Sequence, residues 1–181
     1  MRRGRTFCVL VALMSGVAAG SAGEAAWVEK RATMANAERI LSAIDFLSSH
    51  RDDPLEELAS RIGTRLQRDQ AASNDVFAVY KGVFSADMPF ARIELRKPID
   101  VTKRTGFIIL DLRKGKNVEC VVVRDAITRY GQPVNVEVPK PEQGDDAPIS
   151  WIFHRPWGEL WMAFARGGEP CLASVSIRWP Q

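Results

Sequence analysis

The sequence predicts an α+β protein: an N-terminal helical hairpin followed by an antiparallel sheet, then a short helix and a second antiparallel sheet section. Three observations predict it. Apolar residues recur at helical spacing in two stretches between residues 37 and 66, the period switches to two from Asn74, and a second helical stretch near residues 122–130 precedes further alternating runs. Each element follows from its local pattern.

The chain opens on MRRGRTFCVLVALMSGVAAGSAGEA, with Arg2, Arg3 and Arg5 ahead of an apolar run from Phe7 to about Ala19 and small residues around Gly20 to Gly23. That is the three-part form of a secretory signal peptide, and the run is short for a membrane span, which takes about 20 residues. The expected organisation is a removed leader at 1–23, a helical hairpin plus three-stranded meander at 24–117, and a short helix plus four-stranded antiparallel sheet at 118–181, packed as one domain. Cys8 stands at the start of the apolar run, not at its end, so no lipid or other membrane anchor is expected after cleavage.

In NAERILSAIDFLSSH the residues Ala37, Ile40, Leu41, Ile44 and Leu47 form one stripe. Asp53 then reads as an N-cap, with Pro54 at the first helical position and Glu56 completing a capping box ahead of the stripe Leu55, Leu58, Ile62, Leu66. So short a connection predicts an antiparallel helix pair. VFAVYKGVF (76–84), FARIELR (90–96) and GFIILDL (106–112) read as a three-stranded meander.

VVVRDAITRYGQP carries the next helix, with Val122, Ala126, Ile127 and Tyr130 toward a sheet and Gly131 then Pro133 as stop signals. VNVEV (134–138) starts the last set of strands, PKPEQGDDAP (139–148) reads as a polar hairpin loop, and WIFHR, ELWMAFA and CLASVSIRW follow. In CLASVSIRW the residues Cys171, Ala173, Val175 and Ile177 share a core-like face, opposite Ser174, Ser176 and Arg178. RPWG suits a type I turn followed by a glycine bulge, a register that pairs Arg155 with Glu159 and His154 with Leu160. One face of that hairpin then holds Ile152, His154, Leu160, Met162 and Phe164, and the other Trp151, Phe153 and Trp161. Both faces are apolar, so the second is either packed against the first unit, the first expectation, or left as a patch.

Composition bounds the function. With Arg2, Arg3 and Arg5 gone, the 25 basic residues fall to 22, equal to the 22 Asp and Glu. A nucleic-acid role loses its compositional support. Lys103, Arg104, Arg113, Lys114 and Lys116 read as solvated turn charges. Two thiols remain, Cys120 and Cys171, and an even pair in an exported chain reads as one disulfide. No cofactor is expected, and two cysteines with distant histidines make a poor metal site.

Catalytic candidates are few. There is no G-x-S-x-G elbow, no H-E-x-x-H pair and no phosphate-cradling glycine loop. His50 reads as a residue at the end of the first helix, where a cation favours the dipole. His154 reads as a satisfied structural histidine, and Asp111 as the one acid in a buried-looking context, with pointing outward or pairing with Arg92 across the meander as the alternatives. Binding is better supplied. Trp151, Phe153, Trp157 and Trp161, with His154, bring hot-spot residue types, and Trp157 in the turn is not easily core. Glu142, Asp145 and Asp146 give the 139–148 loop an acidic projection able to enter another protein's cleft.

A helix ending ITRYGQP, then antiparallel strands, with one cysteine near the helix start and another in a late strand, resembles the helix-plus-sheet units of beta-lactamase inhibitor protein and of the SmpA/OmlA (BamE-like) outer-membrane assembly proteins, over about residues 118–179. The second family is usually lipid-anchored, and this leader lacks the cysteine for it. The resemblance implies a binding scaffold and assigns no residue roles. The expected function is that of a periplasmic or secreted protein-binding or inhibitor-type domain, such as an immunity protein against a periplasm-targeted toxin, with an unidentified protein as partner. The alternatives are a small secreted hydrolase using His154 and a carboxylate, and a structural envelope component.

Overall fold

The apolar stripe of NAERILSAIDFLSS winds into helix α1, Asn36–Ser49, and buries Ile40, Leu41, Ile44 and Leu47 to 4 % exposure or less. The computed structural model describes residues 36–86, 88–100, 105–113, 120–167 and 170–180. The expected leader at 1–23, and Lys103, Arg104, Lys114 and Lys116, lie outside them.

After α1 the helices depart from expectation. Helix α2, Leu55–Arg61, is seven residues long, buries Leu58, and is followed by Gly63 at φ 64°. Two turns with one buried anchor do not make a helical hairpin. Leu66 is left outside the helix, just ahead of strand β1, Gln67–Arg68. Pro54 holds the N-cap position with no side-chain capping bond, while Asp53 pairs with Arg61 at 3.0 Å instead of capping. The helix that α1 meets is α3, Val123–Tyr130: Arg129 bonds Glu38 at 3.1 Å and Asp45 at 2.7 Å, and the Tyr130 hydroxyl donates to the Leu41 carbonyl at 3.3 Å.

The sheet is also one, not two. The strands β2 (Phe77–Val83), β3 (Phe90–Pro98), β4 (Thr105–Leu112), β5 (Asn135–Glu137), β6 (Ile149–Arg155), β7 (Gly158–Phe164) and β8 (Leu172–Pro180) join β1 in the order β1-β2-β3-β4-β8-β7-β6-β5, antiparallel throughout. The expected helical hairpin with two sheet sections is therefore corrected to one eight-stranded sheet and three short helices among the described residues. The cause lies in β8. Its nine residues pair with β7 along one edge and β4 along the other, so the last strand sews the meander to the second strand set.

All three helices pack on one face of this sheet. Their apolar residues join Ile93, Leu95, Ile108, Leu110, Phe153, Leu160, Met162, Val175, Ile177 and Trp179 in a single core cluster. Val79 and Ile152 are buried outside that cluster, and the strand pairing puts them on the opposite face. Cys120, just ahead of α3, is disulfide-bonded to Cys171 at the start of β8, with Cα atoms 5.0 Å apart. An isolated bridge between Val122 and Cys171 runs alongside. Arg113, expected to be solvated, donates to the carbonyls of Phe84 (2.8 Å), Ser85 (2.6 Å) and Met88 (2.9 Å) and ties down the β2–β3 connection.

The β6–β7 hairpin is the second correction. Arg155 pairs with Gly158, His154 with Glu159 and Phe153 with Leu160, one residue away from the expected register. Gly158 lies within β7 at φ 144°, and a Cβ on it would collide with the carbonyl oxygen of Arg178 on β8. That close approach fixes a two-residue turn of Pro156 and Trp157. A slip of one residue exchanges the faces of a strand. Trp151 and Phe153 therefore join Leu160 and Met162 on the helix side, while Ile152 and His154 join Glu159 and Trp161 on the other.

Candidate functional site

The outer face of the sheet, away from the helices, is built from three rows of cross-strand partners. One row runs Val79, Arg96, Phe107, Arg178, Glu159, His154; the next runs Lys81, Glu94, Ile109, Ser176, Trp161, Ile152; the third runs Arg92, Asp111, Ser174, Ala163, Ser150, Glu137. Alternation along each strand, apolar inward and polar or aromatic outward, places these side chains together.

The β1–β4 half of this face is a ladder of ion pairs. Lys81 meets Asp69 at 2.7 Å and Glu94 at 3.7 Å, Arg96 meets Glu94 at 2.6 Å, and Arg92 meets Asp111 at 2.9 Å. Asp111 is therefore not the buried acid its apolar strand suggested: it points outward, its side chain 41 % exposed, and pairs with Arg92. The Lys81 bond holds the Asp69 carboxyl below the usual carboxylate range, and the same bond raises the Lys81 ammonium above its own.

The β8–β7–β6 part differs. The Arg178 guanidinium lies over the Trp161 ring, 3.5 Å from its centroid, with the Phe107 ring at 5.7 Å on β4. The Trp161 indole donates to a Glu159 oxygen at 2.8 Å, and the other Glu159 oxygen stands 3.5 Å from His154 Nε2. Arg178 Nε donates to the Ser176 hydroxyl at 3.3 Å, but among the described residues no carboxylate comes within ion-pair distance of the guanidinium. Burial pushes its pKa down, partly offset by the fields of Glu159 and Glu137. A planar cation backed by an indole, with fork nitrogens left over, suits a carboxylate or another ring brought by a partner.

The expected binding residues divide between two places. Trp161 and His154 stand on the outer face, His154 with 69 % of its side chain exposed. Phe153 is fully buried with its ring 5.9 Å from Tyr130, and Trp151 packs against the same core. Trp157, expected to escape the core, is half-buried against it, with the Arg51 guanidinium 5.6 Å above its ring. His50 sits at the end of α1 as expected, stacked on Phe46. Phe107, Glu159 and Arg178 stand in this cluster without having been among the expected binding residues. The polar face of CLASVSIRW was visible, but its neighbour across β4 needs the strand order.

The 139–148 loop contains a short 3-10 turn at Pro141–Gln143 and folds over the third row. It encloses an open groove of about 670 Å³ lined in part by Glu137, Lys140, Glu142, Ser150, Ala163 and Ser174. Asp145 and Asp146 are exposed, and the Asp145 carbonyl accepts from Arg166 at 3.5 Å. His154 does not line this groove. Among the described residues no three His, Cys, Asp or Glu side chains group to hold a metal ion, and no helix is long and apolar enough to cross a membrane. No family model, curated protein or solved structure matches the chain.

Proposed function

We propose that the chain is an exported protein-binding or inhibitor-type domain that meets its partner on the outer sheet face, around Trp161 and Arg178. One concrete version is immunity to a periplasm-targeted toxin. The observation that carries it is the Trp161–Arg178 stack at 3.5 Å on a sheet face without helices. Tryptophan and arginine are the residue types most enriched in interface hot spots. The basic, apolar and small-residue leader pattern and the Cys120–Cys171 disulfide support export to an oxidising compartment.

The hydrolase alternative rests on His154 and Glu159. That pair stands on an exposed strand face and lines no part of the groove under the 139–148 loop. Binding is the better-supported function.

Site-specific photocrosslinking in the producing cell tests it. A crosslinker at position 161 is expected to give one discrete protein adduct, and the same group at exposed Thr128 on α3 is expected to give none. Equal labelling from both positions would remove the outer face as the contact surface. Mass spectrometry of the same preparation is expected to find a chain beginning near Glu24 with Cys120 and Cys171 oxidised. Free thiols on an unprocessed chain would contradict export.

A further inference from the structure

Six large apolar side chains are well exposed among the described residues, and three of them are Val134 (58 %), Val136 (40 %) and Val138 (64 %). All three belong to the edge strand β5 and its flanks. The opposite edge, β1, is two polar residues, Gln67 and Arg68. An edge with alternating exposed valines is a template for strand addition. Among the described residues no strand follows β5 in the sheet, and the groove under the 139–148 loop is lined by Glu137 and Val138 as well as by Ser150, Ala163 and Ser174.

We infer that the β5 edge pairs antiparallel with β5 of a second copy, about a two-fold axis through Val136. The sequence PVNVEVP, residues 133–139, is symmetric about that residue in kind: proline, valine, polar, valine, polar, valine, proline. The two prolines lack the amide needed to extend a ladder, and the Val134 amide is already given to the Ile152 carbonyl at 2.8 Å, so pairing is confined to 134–138, with the Val136 amide as its central donor and Val134 contributing only its carbonyl. In that register Val134 opposes Val138, Val136 opposes itself, and Asn135 opposes Glu137, so no like charges stand directly opposite. Such a contact is isologous and closes at two copies. The β5 side chains segregate, since Val136 shares the helix side with its partner Trp151, while Asn135 and Glu137 share the outer side with Ile152 and Ser150. The valines of both copies therefore form one band that continues the core face. The Val136 amide now donates to the Asn135 side chain at 2.9 Å, a local bond that a strand carbonyl from the second copy replaces.

Five paired residues bury less than the roughly 1,600 Å² of a standard interface, which places the pair among small, reversible contacts. Sedimentation velocity of the purified disulfide-bonded protein from 1 to 200 μM tests this, with far-UV circular dichroism and thermal midpoints to show that each variant is folded. The wild type is expected to shift from monomer to dimer across that range. Val136→Lys, which sets two cations face to face, is expected to weaken association at least tenfold. Asn135→Lys, which puts a cation opposite Glu137 of the second copy twice per dimer, is expected to strengthen it several-fold. A wild type that stays monomeric at 200 μM, or forms open-ended oligomers, would overturn the inference. So would Val136→Lys associating like the wild type, or Asn135→Lys weakening the pair.

Discussion

Phe153 and Trp161 belong to the two strands of one hairpin and point to opposite faces of one sheet, and their neighbours differ in kind. Phe153 has no exposed surface and is surrounded by a core to which all three helices contribute. Trp161 is partly open, has an arginine for a ceiling, and hydrogen-bonds a carboxylate on its own strand. The first environment is what a fold requires. The second leaves a large ring, a cation with spare donors and two acidic groups on a surface that the described chain does not cover with helix. The difference teaches that an aromatic-rich hairpin divides its labour by register, and that composition alone does not tell the two roles apart.

The comparison sharpens with substitutions that touch one face at a time. The largest effects belong to the inner layer. Removing the Cys120–Cys171 disulfide by a double serine substitution frees a loop of 51 residues. On the chain-entropy model that lowers stability by about 4 kcal/mol, read as a fall in the urea midpoint. Gly158→Val is next, because its Cβ meets the β8 backbone; forcing bulk into such a contact costs about 1–3 kcal/mol. The variant should also disturb the amide signals of Arg178 and Trp179. An unchanged spectrum would mean that the close approach does not set the register.

Outer-face changes should be smaller. Arg178→Ala removes one half-exposed stacking contact and is expected to cost about 1 kcal/mol in urea unfolding. On the helix side, Arg129→Ala breaks only the exposed pairs joining α1 to α3, for which less than about 1 kcal/mol is expected once solvent screening is counted. The smallest effect is a pH dependence at the β1 edge. Asp69 titrates below the usual carboxylate range, so the support it gives is complete above that range and is lost as pH falls through its own lowered value. Lys81 titrates above its usual range, so its support is complete below that range and is lost as pH rises through its raised value. Protection of the Asp69 amide, which donates to the Val79 carbonyl at 2.8 Å, should therefore fall at both extremes when exchange is taken relative to the intrinsic rate at each pH. Lys81→Ala should remove that dependence.

Local pattern made much of the molecule legible. The α1 stripe, the β2–β4 meander, the α3 stop at Gly131 and the alternation in CLASVSIRW are all set by residues a few positions apart. The disulfide was legible from two cysteines in a chain whose first residues carry the pattern expected of an export leader. What escaped is non-local. Nothing near GFIILDL tells that β4 will pair with the last strand, and without that pairing two sheet sections look as plausible as one. The turn RPWG is compatible with two registers, and the choice is made by the Arg178 carbonyl arriving from twenty residues downstream. That same unforeseen pairing kept Arg178 and Phe107 out of the candidate site.

The division of the two faces is tested most directly by urea unfolding of Phe153→Ala and Trp161→Ala side by side. The inner substitution is expected to cost about 3–5 kcal/mol, as full burial of a large ring implies. The outer one is expected to cost about 1–2 kcal/mol, little more than its stacking contact with Arg178. Equal losses at the two positions, or a larger loss at Trp161, would contradict the assignment of the inner face to the fold and the outer face to contact.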